Sequence, residues 1–151
     1  KVIIFSQWEE MLDIIEVALR CNKIRSFRGK GQGKAFNAAV EGFRREADEH
    51  AALLLPVKSG GQGLTLNEAT QIFLADPLLS AAVRRQVVSR NHRVGQTRET
   101  VVHSYVTKGT VEEAVDALVD SSASSASSSS LSSSAGAQKL GVGELKKLLG
   151  I

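Results

Sequence analysis

Residues 51–57, Ala-Ala-Leu-Leu-Leu-Pro-Val, are the longest apolar run of the chain. A strand that is apolar at every position, with no polar alternation, asks to be covered on both faces, as strands of parallel sheets are. Pro56 has no N–H to donate, so the ladder should fade there. Val2-Ile3-Ile4-Phe5 reads the same way. Weaker strands are expected at 24–27, 71–75 and 100–106. Between them the apolar residues recur at helical spacing. Met11, Leu12, Ile15 and Leu19 make one stripe, widened by Ile14 and Val17, and that helix should end near Cys21-Asn22. Phe36, Ala39, Val40 and Phe43 make a second, from about Gly33 to Arg45. Ser80 can cap a third, and Val115 and Leu118 belong to a last. Ser6/Glu9, Thr65/Glu68 and Thr110/Glu113 each have the hydroxyl-then-glutamate spacing of a capping box. Five strands alternating with five helices predict an α/β fold, a mostly parallel sheet with right-handed crossovers.

At 151 residues the chain suits one domain better than two. A formal charge of +3 admits a nucleic-acid partner without pointing to one. A single cysteine, Cys21, excludes an internal disulfide and suits a reducing compartment. No apolar run approaches the roughly 18 residues of a membrane span. There is no signal peptide and no initiator Met, and the first residues already read as a strand, so a fragment of a longer chain is expected. Residues 1–120 form the domain. Residues 121–136 read as a flexible linker or insertion, because eleven of the fifteen residues 121–135 are Ser. In 137–151, Leu140, Leu145, Leu148, Leu149 and Ile151 suggest a short helix of about 144–149, bounded by Gly141 and Gly143, that docks on a domain.

Two stretches carry chemistry. In 86–96, Gln86, Arg90 and Arg93 stand at i, i+4 and i+7, one face of a helix, with Gly95 where the helix should end. Two guanidiniums on one face repel unless an anion lies between them, and a phosphate chain is the obvious anion. A solvated basic face is the plainer reading of such a pair taken alone. The second stretch, Ser59-Gly60-Gly61-Gln62-Gly63, follows the apolar strand at once, putting free backbone N–H groups at the sheet's carboxyl edge. A tight turn that needs Gly is the alternative. Residues 28–35 tempt a phosphate-loop reading through Gly33-Lys34. It fails, because Arg28 fills the first glycine position and Ala35 replaces the Mg²⁺-holding hydroxyl. A loop opening a helix is expected instead.

Taken in order, Val2-Ile3-Ile4-Phe5-Ser6-Gln7-Trp8, Ser59-Gly60-Gly61-Gln62-Gly63-Leu64-Thr65-Leu66 and the stretch ending His92-Arg93-Val94-Gly95-Gln96 resemble motifs IV, V and VI of the second RecA-like lobe of superfamily 2 helicases, specifically Swi/Snf-type DNA translocases. The likeness covers roughly residues 1–119. Leu53-Leu54-Leu55-Pro56, Gly63-Leu64-Thr65-Leu66 and Glu68-Ala69-Thr70 narrow it to the branch with linker-histone, PHD and RING modules, the SHPRH-type E3 ubiquitin ligases. The resemblance implies a RecA-like three-layer sandwich. It implies that Arg90 and Arg93 act as arginine fingers on ATP, worth about 10³–10⁵ in rate in phosphoryl transfer, and that Gln86 positions the nucleotide or the attacking water. Gly61 and Gly63 would also approach the nucleotide. Ser59, Gly60 and Gly61 would touch the DNA backbone, which carries no base information. ATP would be used with Mg²⁺, whose ligands belong to a first lobe; no metal ligand is assigned in this chain. Implied partners are double-stranded DNA or chromatin, that first lobe, and a ubiquitin-conjugating enzyme through a RING elsewhere, in the nucleus and with no membrane. Asn91, Ser80-Ala81 after Asp76-Pro77, and the Gly-rich 29–36 region depart from the family pattern. Two other readings stand beside this one. The lobe could be a degenerate scaffold that docks on chromatin, or the chain could be an unrelated Rossmann-like enzyme using Gly60 to Gly63.

Overall fold

The computed structural model describes residues 1–31, 33–61, 66–89 and 98–125. Five strands, β1 (Val2–Ser6), β2 (Ser26–Arg28), β3 (Ala52–Pro56), β4 (Gln71–Leu74) and β5 (Val101–Ser104), form one sheet in the order β2-β3-β1-β4-β5. Every pairing is parallel. Helices α1 (Glu9–Cys21) and α2 (Lys34–Arg45) connect β1 to β2 and β2 to β3. The chain reverses direction across the sheet at β2. Right-handed crossovers therefore put α1 and α2 on opposite faces.

The register shows which side chains share each face. Phe27, Leu53, Ile3 and Ile72 lie in one row, and Leu55, Phe5 and Leu74 in the next. Phe36, Val40 and Phe43 of α2 are buried with them as the main core. Phe27 meets Phe43 edge-on, with centroids 6.3 Å apart. Gly42 lets α2 sit this close: a Cβ there would lie 2.7 Å from the Phe27 ring. On the other face, Leu12 of α1 and Leu54 of β3 are buried, but Val2, Ile4 and Phe73 are only half-buried. The expectation that β1 is covered on both faces thus holds for one face. Ile14 and Val17 are exposed and do not widen the buried stripe.

Three local expectations need correction. First, α1 starts at Glu9 with Trp8 as its cap residue and no side-chain cap. The Ser6 hydroxyl accepts the Trp8 N–H at 3.0 Å and donates its own proton to Asp76, so Ser6/Glu9 is not a capping box. Second, no α-helix lies between β3 and β4 among the described residues. A 3-10 turn, Val57–Gly61, follows β3, and Asn67 and Glu68 form a turn; only two residues separate Glu68 from β4. Third, β2 falls at Ser26–Arg28, two residues later than its apolar start at Ile24 suggests.

The chain divides into two compact units. The first, Lys1–Asp76 with Gln86–Tyr105, holds the sheet, α1 and α2. The second holds Pro77–Arg85 and the chain from Val106. Within it, Arg84 Nη1 reaches Asp116 at 3.4 Å and Asp120 at 3.0 Å. Helix α3 is Ala81–Val88 and α4 is Val111–Ser125. Here Thr110 and Glu113 do cap the helix start, each bond one residue off the reciprocal capping-box pattern: the Thr110 hydroxyl accepts the Glu112 N–H at 3.2 Å, and the Glu113 carboxylate accepts the Gly109 N–H at 3.1 Å. Helix α4 runs five residues into the Ser/Ala-rich stretch that the sequence reading assigned to the linker.

Candidate functional site at the carboxyl edge of the sheet

In a parallel sheet all strands end at one edge, and ligands gather there. The end of β3 passes directly into the turn Val57–Gly61. Ser59 is buried within it, and the exposed Lys58 is its neighbour. Gly60 and Gly61 continue the turn, with no acidic residue in it. That chemistry suits an anion: backbone amides, a hydroxyl and a lysine, without a carboxylate to repel it. Gly63 lies outside the described residues.

The end of β1 is built differently. Asp76, just past β4, is buried, and its carboxylate accepts the Ser6 hydroxyl and the Gln7 N–H, the latter at 3.1 Å and 3.2 Å. A carboxylate at this edge would oppose a phosphate. Here the chain's own donors engage it, and it ties the turn after β1 to the end of β4. The sequence alone assigns Asp76 no role. Nothing local signals a bond 70 residues back.

The loop after β2 behaves as expected of a loop. The Arg28 side chain, 6% exposed, turns to α1, where its Nη2 meets the Glu9 carboxylate, donates to the Glu9 carbonyl at 3.2 Å and lies 3.5 Å from Asp13. Lys30 pairs with the same Asp13 at 3.4 Å. Gly33, with φ +93°, starts α2 without a side-chain cap. These cations are matched by carboxylates, in keeping with the rejection of a phosphate loop.

Gln86 is on α3 with its side chain exposed. Its carbonyl accepts the Ser89 hydroxyl at 2.9 Å. Arg90 and Arg93 lie outside the described residues, as do 91–92 and 94–97. The structure therefore describes Gln86, Ser59, Gly60 and Gly61 of the expected site.

A five-stranded parallel sheet in this order, with helices on both faces and its glycine turn at the carboxyl edge, has the RecA-like fold. The chain belongs to the family of the helicase conserved C-terminal domain, whose model matches residues 1–95. It is 38% identical over 122 residues to the human E3 ubiquitin-protein ligase SHPRH, covering 81% of this chain and 7% of that protein. It is 34% identical over 154 residues to the DNA repair protein RAD5 of Cryptococcus neoformans, covering all of this chain and 13% of that protein. Among solved structures it resembles the C-terminal part of the Fun30 ATPase domain, with a TM-score of 0.72 and 31% identity over 79% of this chain and 39% of that one. The Swi/Snf-type, SHPRH-like resemblance read from the motifs is borne out, as is the fold class. The family match sets aside the unrelated small-molecule enzyme.

Proposed function

We propose that this chain is the second lobe of an ATP-driven, double-stranded-DNA translocase of the Swi/Snf type, in a nuclear parent protein that also acts as a RING E3 ubiquitin ligase. ATP and Mg²⁺ are held chiefly by a first lobe outside this sequence. This chain supplies Arg90 and Arg93 to stabilise charge on the transferring phosphoryl group, and Gln86 to orient the nucleotide or water. Gly61 and Gly63 let backbone approach the nucleotide. Ser59, Gly60 and Gly61 hold DNA phosphate without reading bases. Closure of the two lobes brings these groups together, and opening releases them. Double-stranded DNA or chromatin is the polymer partner, and a ubiquitin-conjugating enzyme docks on a RING elsewhere in the parent.

The observation that carries this reading is the acid-free turn Val57–Gly61 at the end of the buried strand β3, in a chain whose family match extends to residue 95. The test is ATP hydrolysis by the two-lobe parent with and without double-stranded DNA, comparing wild type with Arg93→Ala. A DNA-stimulated rate that falls at least about 10³-fold in the variant is expected. Wild-type turnover in Arg93→Ala would refute the assignment. No stimulated rate in the wild type would instead favour a degenerate lobe that serves as a DNA-docking scaffold.

A further inference from the structure

Helix α3 carries Gln86, and α4 grips one side of it. Arg84 Nη1 lies between two carboxylates, Asp116 at 3.4 Å and Asp120 at 3.0 Å. The two aspartates stand at i and i+4, on one face of α4. Arg84 and Asp116 are 28% and 29% exposed, so water screens this pair less than a pair on the open surface. The two helices carry opposite charge. α4 holds four carboxylates, Glu112, Glu113, Asp116 and Asp120, and no Lys or Arg. α3 holds two guanidiniums, Arg84 and Arg85, and no carboxylate. Arg85 is exposed and makes no ion pair among the described residues. Burial follows the same division around α3. At 3.6 residues per turn, Ala81 and Val87 fall on the side of Arg84, and both are buried. Ala82, Arg85 and Gln86 fall on the other side and are exposed.

We propose that Asp116 and Asp120 are positioning residues: through Arg84 they fix the roll of α3, and so the direction in which the same helix presents Gln86. The catalytic consequence rests on the role given to Gln86 above. A helix of eight residues has few hydrogen bonds of its own, so what it packs against decides its orientation. Arg84 and Gln86 are two residues apart on one helix, about 160° around it. A roll at the first is therefore the same roll at the second. At the 5–6 Å radius of a helix with its side chains, a roll of about 10° moves the Gln86 amide by about 1 Å. A displacement of that size costs about 10²-fold in rate where a group must be held against a reacting atom. The guanidinium also holds α4 in order. Without Arg84, two like charges at i and i+4 would face each other with no cation between them.

The test makes Asp116→Asn/Asp120→Asn in the 151-residue chain and reads α3 directly. A nitroxide on Gln86→Cys, in a Cys21→Ser background, should gain mobility. Hydrogen-exchange protection of amides 85–88 should fall about 5-fold, the upper end for a part-exposed ion pair. Arg84→Ala should do the same. The swapped set, Arg84→Glu/Asp116→Lys/Asp120→Lys, should recover both readouts. Arg85→Ala removes the same charge from the same helix and should change neither. In the two-lobe parent, the double Asn variant should lower the DNA-stimulated kcat at least about 10-fold with KM for ATP unchanged, and the swapped set should restore it. Unchanged mobility and exchange in the double Asn variant, or an Arg85→Ala chain as loosened as Arg84→Ala, would overturn the grip. A loosened α3 with wild-type kcat would overturn the positioning role. A wild-type parent without DNA-stimulated turnover would instead sink the role given to Gln86 above, and the nitroxide and exchange readouts would still decide whether α4 sets the roll of α3.

Discussion

Replacing Asp76 by Ala should unfold this lobe far more readily than its loop position suggests. The carboxylate is buried and receives two donors, the Ser6 hydroxyl and the Gln7 N–H. Ser6 is fully buried, so its proton has no water to turn to once the acceptor is gone. Leaving a buried donor without its acceptor costs about 1–3 kcal/mol, and bonds to a charged group lie at the upper end. Together the two losses come to about 2–6 kcal/mol, a large part of the 5–15 kcal/mol that holds a typical domain folded. With a urea slope of about 2 kcal/mol per molar, the unfolding midpoint should drop by about 1–3 M. Asp76→Asn keeps an acceptor for the Gln7 N–H but offers Ser6 a donor where it had an acceptor, and should cost about 1 kcal/mol. Ser6→Ala with Asp76→Ala should cost less than the sum of the single changes, by about 1 kcal/mol or more, because both remove the same bond. An Asp76→Ala midpoint within about 0.3 M of wild type, or strict additivity of the pair, would refute the reasoning.

Two smaller effects follow. Gly42→Ala should gain about 1 kcal/mol of helix propensity yet lose about 1–3 kcal/mol to the 2.7 Å clash with Phe27. A net loss is expected in urea melts, and Phe27→Leu in the same chain should turn it into a gain; a Gly42→Ala chain more stable than wild type would count against the close approach. The backbone N–H of Thr107, hydrogen-bonded to Glu112, holds that carboxyl below its ordinary value of 4.5. A depressed folded value means the bond's stabilisation is complete above about 4.5 and fades as pH falls through the folded value. The protection factor of the Thr107 amide, its exchange rate taken relative to the intrinsic rate at each pH, should therefore fall below that pH in wild type and stay flat across it in Glu112→Gln; a flat wild-type protection profile would remove the bond from the account.

The sheet was legible because its strands are apolar wherever both faces are covered, and 51–57 announces that at once. Capping was legible only where it is local. Thr110 and Glu113 both cap the start of α4, as their spacing suggests, though each bond falls one residue from the ideal partner. Ser6 has the same spacing, but Asp76 takes its proton from across the sheet. Thr65-Leu66-Asn67-Glu68 repeats the pattern with too little chain before β4 to complete a helix. Periodicity placed Ile14 and Val17 on the apolar side of α1, and could not tell that the layer above them is unfilled by α1 itself. At the candidate site, the Gly turn was legible from composition, whereas Asp76 was not, since its partners are fixed by topology. Arg90 and Arg93 rest on the motif that the sequence carries.

The strand order has a consequence for how the lobe is made. β1 is central, yet among the five strands it leaves the ribosome first. Its neighbours lie 50 residues on, Val2 beside Ala52, and 69 residues on, Val2 beside Gln71. At roughly 5–20 residues per second, Val-Ile-Ile-Phe waits about 3–10 s for one flank and about 3–14 s for the other. During that interval a wholly apolar stretch is a bare strand with two open edges. The nascent chain, more than the finished lobe, is therefore where a chaperone has something to hold.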